Sequence, residues 1–229
     1  MAPLSESALL LSYGNIIDIA INEKIIALHK LLAAKPFPGF IESVPAYASL
    51  AVFYDAVFIK STHPGIDTSF DFVKNYIIKI AAEITNTTSN TNDEKIIIPV
   101  FYNGEDLAYV ANLHQLTIKE VINIHTSIYY RVFMTGFLPG FAYMGTVDEK
   151  IITPRKDKPR LLVAAGSVGI AGAQTGIYPI SSPGGWQIIG ATPLQLFNKI
   201  GSNPCLLKAG DSVQFISIDK HEFEKLNEY

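Results

Sequence analysis

A glycine- and aromatic-rich stretch, residues 131–193, constrains the fold of this chain more than any other part of its sequence. Glycine is useful where the backbone needs a positive φ or where another group approaches it closely. Strong helix formers are scarce in this stretch, so it predicts short strands joined by tight turns. The interleaved aromatic side chains then form a shaped surface on a β scaffold. The glycines stand at positions 136, 140, 145, 166, 169, 172, 176, 184, 185 and 190.

Composition narrows the class of protein. The 229 residues suit one large domain or two small ones, and 48% hydrophobic with 17% charged residues is typical of a folded globular chain. A net charge of −3 argues against nucleic acid as the main partner. The N-terminus lacks the features of a signal peptide, and no apolar run approaches the roughly 20 residues that span a bilayer. We expect a cytoplasmic protein without membrane contact.

The sequence lacks the usual metal-binding and nucleophile motifs. Cys205 is the only cysteine, which excludes an intrachain disulfide and a cysteine-based zinc site. The five histidines lack the spacing of metal ligands, so we expect no metal site. Residues 166–169 resemble a nucleophile elbow, but Ala165 stands where that motif needs a glycine.

Residues 1–90 are predicted to form a domain of mixed α and β structure. One helix is predicted to begin with Asn22 as its N-cap. A second helix is predicted to begin at Thr68, with Asp71 as its capping-box partner. The polar run at residues 85–95 predicts a linker or an exposed loop. Strands are predicted at residues 8–13, 41–44 and 49–54.

Residues 91–229 are predicted to form a mainly-β domain. Thr117 and Glu120 predict a capping box at the start of a helix that carries His125 on its inner face. Many short strands with few helices suggest a small closed barrel with loops at its mouth, whose topology the sequence leaves open. The other predicted elements are strands at residues 96–101 and 211–218 and helices at 105–112 and 193–200.

His125 is the candidate catalytic residue. A histidine that titrates near neutrality can transfer a proton or polarise a carbonyl group. The alternative is a buried histidine with a satisfied hydrogen bond, which only packs in the core. The spacing of residues along the helix does not exclude either role.

Arg155 and Arg160 lie in the proline-flanked sequence PRKDKPR. Each offers a planar fork of donors that suits a carboxylate or a phosphate, although solvated loop arginines are the alternative. Residues of the neighbouring tight turns could supply neutral donors and acceptors. We assign to the substrate-binding site, besides the two arginines, the residues Gln174, Thr175, Gly184 and Gly185.

The GFLPGF sequence is a dense apolar loop, which belongs either to the core or to an interface with a partner. A nearby tryptophan suits a core, a pocket wall or a subunit contact equally well. We assign to a partner interface the residues Phe137, Leu138, Pro139, Phe141 and Trp186.

Several segments, in order along nearly the whole chain, resemble one protein family. They are VPAYASLAVFYD (44–55), PVFYNGEDLAYVA (99–111), GFLPGFAYMG (136–145), AGSVGIAGAQTGIYP (165–179), SPGGWQIIGATP (182–193) and AGDSVQF (209–215). The family contains the B subunit of the bacterial ATP-dependent 5-oxoprolinase and a Bacillus sporulation-kinase inhibitor. It is often labelled allophanate hydrolase subunit 1, and its motif also has a histidine at the place of His125 in IHTSIYY.

The resemblance implies an α+β N-terminal domain followed by a mainly-β, cyclophilin-like barrel domain. It implies a subunit of a carboxyltransferase-like, ATP-dependent 5-oxoprolinase, which opens 5-oxoproline to L-glutamate. The implied partners are a homologous barrel subunit and a third subunit. ATP is then used by the complex, and we expect no cofactor in this chain and no activity of the chain alone.

The resemblance leaves a second function open, because the same family contains a regulator that inhibits a sensor histidine kinase. A neighbouring gene for the homologous barrel subunit would favour the enzyme. A prolyl isomerase, inferred from barrel shape alone, ranks last.

Three departures from the family pattern affect this comparison. The segment at residues 103–105 is shorter than usual, Ala164 replaces a proline, and Ala191 replaces a common arginine. If that arginine contacts substrate in relatives, this chain binds its ligand differently. If the GFLPGF loop, the two arginines, the GAQTG turn and His125 meet at the barrel mouth, they would bind the carboxylate and the lactam carbonyl of 5-oxoproline.

Overall fold

The structure is a computed structural model, and it describes residues 1–84, 95–201 and 203–228. The chain divides into two compact units, Met1–Asn92 and Asp93–Tyr229. Of the predicted linker at residues 85–95, all but Lys95 lies outside the described residues, and so does the predicted boundary between residues 90 and 91. The domain assignment therefore stays a prediction, and each unit is described by itself.

The first unit is a four-stranded antiparallel sheet in the order β1-β2-β4-β3, against which helices pack. Its core joins apolar side chains of α1 and α3 to those of β2 and β4, including Ile25, Leu50 and Ile77. The elements are β1 (Ala2–Ser5), β2 (Ala8–Ser12), α1 (Ile19–Ala34), β3 (Phe40–Pro45), β4 (Ser49–Tyr54), α2 (Ala56–Thr62) and α3 (Ser69–Ala81).

The helix starts of the first unit were predicted with mixed success. Thr68 caps α3 by accepting from the backbone N–H of Asp71, as predicted. The predicted N-cap of α1 is wrong, because the carboxylate of Asp18 caps this helix by accepting from Ile21 N–H at 2.8 Å. Asn22 is instead buried inside α1, and its amide donates to two carbonyls of the β3–β4 turn. Strand β1 and helix α2 were not predicted.

The second unit is built on a seven-stranded sheet in the order β12-β9-β10-β7-β6-β13-β5, with a separate two-stranded ribbon of β8 and β11. Among the described strands of the larger sheet, only the pair β13–β5 is parallel. The elements are β5 (Lys95–Val100), α4 (Leu107–Leu113), α5 (Ile118–Thr126), β6 (Tyr129–Thr135), β7 (Ala142–Gly145), a 3-10 helix (Glu149–Ile151), β8 (Arg160–Val163), β9 (Ser167–Ala171), β10 (Gln174–Ile177), β11 (Ser182–Gly184), β12 (Gln187–Ala191), β13 (Ser212–Ser217) and α6 (Lys220–Asn227).

The two edges of the seven-stranded sheet meet. Phe101, directly after β5, and Ala191, the last residue of β12, exchange two backbone hydrogen bonds of 2.9 Å each. This bridge nearly closes the sheet into a barrel, which protects the edge groups at that end. A mixed α and β fold with a barrel-like sheet is thus present, as the sequence predicted.

The helices of the second unit match the sequence predictions only in part. The capping box of Thr117 and Glu120 is present at the start of α5, as expected. The helix predicted at residues 193–200 is absent; Phe197 in this segment pairs as an isolated bridge with Cys205. Helix α6 was not predicted, because it is short, has no buried residue and contains only two large apolar residues, Phe223 and Leu226.

Buried apolar side chains of the second unit form two clusters. The larger one fills the barrel with residues of β5, β6, β9, β12 and β13 and is covered by α4 and α5. The smaller one, called the aromatic cluster below, consists of Phe141, Val163, Ala171, Tyr178, Trp186 and Ile188. Among the described residues, no helix is long and apolar enough to cross a membrane.

The barrel should depend on the absence of a side chain at Gly104. The N–H of Gly104 donates to Ile189 O at 3.1 Å, and a Cβ at this position would overlap the backbone of Ile188 and Ile189. We expect Gly104→Ala to lower the free energy of unfolding by roughly 1–3 kcal/mol, since the backbone must shift. Denaturant unfolding followed by the fluorescence of Trp186, the only tryptophan, measures this.

Gly185→Ala is the matched control, because a Cβ there would have its nearest neighbour at 3.6 Å. The two variants should therefore differ in their unfolding midpoints. Equal midpoints would contradict the steric explanation.

Candidate functional site

Arg160, the first residue of β8, is engaged within the protein. Its Nη2 lies 2.6 Å from each carboxylate oxygen of Asp106, and its Nε lies 2.6 Å from Glu105 Oε1. The remaining Nη1 donates to the carbonyl of Trp186 at 3.2 Å. Since each nitrogen of the guanidinium has a partner, the geometry favours a structural role for Arg160. Its predicted role in substrate binding stays a prediction.

Asp106 is the centre of this ion-pair group, and the sequence analysis did not identify it. The buried carboxylate also accepts from Lys156 Nζ at 2.9 Å and from the backbone N–H of Ile188 at 2.7 Å. Burial alone would raise the pKa of Asp106, but the hydrogen bonds from Lys156, Ile188 and Arg160 outweigh it and lower the pKa. Asp106 therefore stays ionised at neutral pH and ties three segments together.

Arg155 has a different environment from Arg160. It is exposed, and its Cζ lies 5.8 Å from the ring centre of Trp186, within the range of a cation–π contact. Burial raises the pKa of Tyr143 and of Tyr178, and the positive charge of Arg155 opposes this in both cases. The two phenols therefore stay protonated at neutral pH and keep a proton to donate. Arg155 presents a positive charge beside neutral aromatic groups.

The rings around Arg155 pack at steep angles to one another. Phe141 lies 5.5 Å from Trp186, 5.4 Å from Tyr178 and 4.8 Å from Tyr143, measured between ring centres. Such edge-to-face and tilted contacts are favourable and hold each ring in one orientation. We call these four residues, Phe141, Tyr143, Tyr178 and Trp186, the aromatic shelf.

The two glycines assigned to the substrate site have structural functions, Gly184 in packing and Gly185 as a hydrogen-bond acceptor. Gly184 lies on β11 opposite Arg160, and a Cβ there would overlap the hydroxyl of Tyr178. Its lack of a side chain lets the ribbon lie directly on the aromatic shelf. The carbonyl of Gly185 accepts from Lys156 N–H at 2.8 Å and fixes the loop that carries Arg155. Contact of either glycine with a ligand stays a prediction.

His125 lies fully buried in the barrel and forms one polar chain. Thr175 Oγ1 donates to the carbonyl of Gly169 at 3.0 Å, so it must accept from His125 Nε2 at 2.9 Å. The ring therefore carries its proton on Nε2, and Nδ1 accepts from the hydroxyl of Tyr102 at 2.7 Å. The ring also stacks on Phe215 with 4.6 Å between ring centres.

Burial lowers the pKa of His125 to about 3, so the imidazole is neutral at physiological pH. Both ring nitrogens have partners inside the protein, and no part of the ring is exposed. This environment matches the alternative of a histidine that packs in the core. Direct proton transfer to a substrate, the predicted catalytic role, would need a rearrangement of the barrel.

Strand β10 separates His125 from Arg155. Thr175 faces the barrel interior, where it binds His125, whereas a Cβ on Gly176 would lie 3.0 Å from the Trp186 ring. Successive side chains of a strand point to opposite faces, so the aromatic shelf lies on the outer face of this wall. The expectation that His125 and the arginines converge is therefore wrong. Gln174 lies half-buried at the first position of β10.

The GFLPGF loop exposes only part of the predicted partner interface. Phe137 has φ +72° and is 65% exposed, which is unusual for an aromatic side chain in a left-handed conformation. Pro139 is also exposed and Leu138 is half-buried. Phe141 and Trp186 are buried, so they support the loop and cannot contact a partner directly. The interface itself stays a prediction.

The two alanines that depart from the family pattern lie in different parts of the second unit. Ala191 lies at the bridge that closes the barrel, at the other end of β12 from Trp186. Ala164 is exposed in the turn after β8. Within residues 1–84, 95–201 and 203–228, no group of three or more His, Cys, Asp or Glu residues could hold a metal ion.

Comparison with known proteins identifies the family of this chain. The family described as carboxyltransferase domain, subdomain C and D, matches residues 1–207. The chain belongs to this family. The 5-oxoprolinase B subunit of Bacillus subtilis is 44% identical to it, over 98% of this chain and 95% of that protein. The Haemophilus influenzae protein of the same name is 40% identical, over 94% of this chain and 96% of that protein. These matches confirm the resemblance found in the sequence.

A similar solved structure has a longer chain. TTHA0988 superposes with a TM-score of 0.79 at 32% identity, over 93% of this chain and 40% of its own. The present chain thus spans about two fifths of the length of TTHA0988. In that relative, the same fold is continuous with further polypeptide.

The burial of His125 should make the stability of the protein depend on pH. Its pKa is about 3 in the folded protein and near 6.5 when unfolded, so protons bind the unfolded chain preferentially between these values. The free energy of folding that depends on a neutral His125 is fully present above pH 6.5 and is lost as the pH falls towards 3. We expect a loss of about 2 kcal/mol in unfolding free energy between pH 7 and pH 5.

Denaturant unfolding of wild type and His125→Gln at both pH values measures this loss, which should be smaller in the variant. In the wild type, NMR at pH 5 should show a neutral His125 ring protonated at Nε2. A charged ring at pH 5, or equal pH dependence of the two proteins, would show that the imidazole is solvated.

Asp106 should contribute far more to stability than its neighbour Glu105. Asp106→Asn leaves the charges of Arg160 and Lys156, both largely buried, without their shared carboxylate, and we expect a loss of about 3 kcal/mol. Glu105 is 64% exposed, so Glu105→Gln should cost less than about 1 kcal/mol. Unfolding of both variants at pH 7, followed by Trp186 fluorescence, makes the comparison. Similar losses for the two would refute the central role of Asp106.

Proposed function

We propose that this chain is a subunit of a heteromeric, ATP-dependent 5-oxoprolinase that converts 5-oxoproline to L-glutamate. The observation that carries the proposal is 44% identity, over 98% of this chain and 95% of the relative, to the B subunit of that name in Bacillus subtilis. A homologous barrel subunit and a third subunit complete the enzyme. ATP is consumed by the complex, and this chain holds no cofactor of its own. The nearly closed sheet is, in this proposal, a cyclophilin-like barrel.

Arg155 and the half-buried Tyr143 beside it form the part of this chain that would contact the substrate. The buried rings of Phe141, Tyr178 and Trp186 support them. A 5-oxoproline molecule has a carboxylate, which suits a guanidinium, and a compact ring, which suits an aromatic surface. Of the two predicted arginines, Arg155 has the exposed guanidinium, whereas Arg160 is bound to Asp106. The protonated phenol of Tyr143, which is half-buried, would be the donor for the lactam carbonyl. Arg155 would therefore bind and orient the substrate.

Ring opening of a lactam also needs proton transfer and, in this reaction, activation by ATP. His125 is buried in the barrel as a neutral ring, and both of its nitrogens form hydrogen bonds within the protein. Groups that act on the reacting amide would accordingly come from the other subunits. The present chain would supply one wall of the active site and would be inactive alone. Inhibition of a histidine kinase, the alternative function, stays a prediction.

The assembled complex tests the proposal. We expect the chain, purified with its two partner subunits, to form glutamate from 5-oxoproline in an ATP-dependent reaction, and the chain alone to form none. Arg155→Ala should lower kcat/KM at least about tenfold, mostly through KM, because a charged hydrogen bond to the substrate is worth roughly 1.5–3 kcal/mol.

Lys158→Ala is the matched control, since this exposed residue lies in the same loop. Its kcat/KM should equal that of the wild type. Turnover by the chain alone would contradict the subunit role. Full activity of Arg155→Ala, with the complex intact, would remove Arg155 from the substrate site.

A further inference from the structure

The backbone around Arg155 is held by the segment around Trp186. Lys156, the residue after Arg155, donates its N–H to Gly185 O at 2.8 Å. Arg155 itself lies beside Trp186, with its Cζ 5.8 Å from the ring centre. These two pairs run in opposite chain directions, as neighbouring pairs of an antiparallel ladder do. In this order, the next pair joins the residue before Arg155 to the residue after Trp186.

A side chain forms that next pair. The residue before Arg155 is Pro154, which has no N–H and can take part in a ladder only through its carbonyl. Gln187 Nε2 donates to Pro154 O at 2.9 Å. Since the peptide group is planar, this hydrogen bond also orients the backbone nitrogen of Arg155. Arg155 is therefore fixed by one hydrogen bond before it and one after it.

The amide of Gln187 also carries an unsatisfied acceptor. The residue is only 3% exposed, and among the described residues Oε1 has no hydrogen-bond partner. A buried acceptor without a partner is unfavourable, and an apolar side chain would avoid it. The strand continues with Ile188 and Ile189, which are both buried and apolar. Gln187 therefore contributes something other than packing, and its donation to Pro154 O is the contact that the structure shows.

We propose that Gln187 is a positioning residue for substrate binding, which holds Arg155 beside Trp186 through the carbonyl of Pro154. This inference deepens the proposed function and rests on it. An exposed arginine loses rotamer freedom when it binds a ligand, and prior ordering reduces that entropic cost. Gln187 is itself buried and does not touch the substrate, so its effect on binding passes through Arg155.

Gln187 is also the part of this arrangement that a substitution can isolate. The bond between Lys156 and Gly185 joins two backbone groups, so no side-chain change removes it. A change of Lys156 would also disturb its ion pair with Asp106. A change at Gln187 removes the bond to the carbonyl before Arg155 and leaves that ion pair in place.

NMR of the full chain alone tests the positioning step. In the wild type, the ring current of Trp186 should shift the side-chain protons of Arg155 away from their random-coil values. Gln187→Met keeps the length of the side chain but removes the donor, so this shift should be largely lost. The α-protons of Gly176, which lies against the Trp186 ring, should keep their shifts and show that the ring has not moved.

Gln214→Met is the matched control. Gln214 on β13 also donates its amide to a backbone carbonyl, that of Thr126 at 3.4 Å, and it has no printed contact with the segment of Arg155. The Arg155 shifts and the activity of this variant should equal those of the wild type.

Kinetics of the assembled complex test the consequence for the substrate. Gln187→Met should raise KM for 5-oxoproline about two- to tenfold, as expected for the ordering of one long side chain, and should leave kcat within about twofold. The double variant with Arg155→Ala should have the kcat/KM of Arg155→Ala alone, because both changes act through one contact. Its unfolding midpoint should be close to that of Arg155→Ala, since the lost hydrogen bond is offset by removal of the unpaired acceptor.

The outcomes separate the inference from the proposed function. Unchanged Arg155 shifts in Gln187→Met, or additive losses in the double variant, would overturn the positioning role alone. Loss of the Gly176 shifts together with those of Arg155 would show that Gln187 only supports the Trp186 ring, and would also overturn it. Full activity of Arg155→Ala would remove both residues from the substrate site.

Discussion

The contact of Arg160 Nη2 with both carboxylate oxygens of Asp106 is the interaction on which the outer surface of the second unit depends. A buried carboxylate is costly unless donors surround it, and here two side chains and the Ile188 N–H do so. The contact joins the residue before α4 to the start of β8 and to β12. The loop between Pro154 and Arg160 is thereby held at two of its basic residues, Lys156 and Arg160. Arg155, which has no part in this group, lies beside the aromatic shelf.

Strand β10 then divides the unit into an inner and an outer face with different chemistry. On the inner face, His125 donates a hydrogen bond to Thr175, and burial keeps the histidine neutral. Outside, Gly176 leaves room for the Trp186 ring to approach the wall. The inner face can therefore contribute stability and its pH dependence, whereas groups accessible to a ligand lie on the outer face.

Most features that the sequence predicted are set by neighbouring residues, although the cap of α1 at Asp18 is also local and was missed. Features set by distant pairs were not predicted. The caps at Thr68 and Thr117 involve residues three positions apart, and both were predicted. The pairing of Asp106 with Arg160 spans 54 positions, so no local pattern reveals it. The opposite charges of the EDL and PRKDKPR segments were the available signal, but charge alone does not specify contact.

The same distinction applies to the predicted site residues. The glycines at 176 and 184 were visible in the sequence, but their function depends on rings from elsewhere in the chain, those of Trp186 and Tyr178. His125 was correctly placed on the inner face of its helix, yet only the partners of its two nitrogens decide between a core and a catalytic role. The helix expected at residues 193–200 failed because Phe197 pairs with Cys205, a contact that propensity cannot anticipate.

The buried apolar groups of the second unit form two separate clusters, the barrel core and the aromatic cluster. The barrel core is closed and neutral, so substitutions on the outer surface need not disturb it. The aromatic cluster is small, so it adds little to the stability of the unit by itself. Side chains that stay exposed beside it add little more. The left-handed backbone at Phe137 is a strained conformation for an aromatic residue, and such strain persists where the surrounding structure fixes it. The edge-to-face contact of Phe137 with Phe141 is one such constraint.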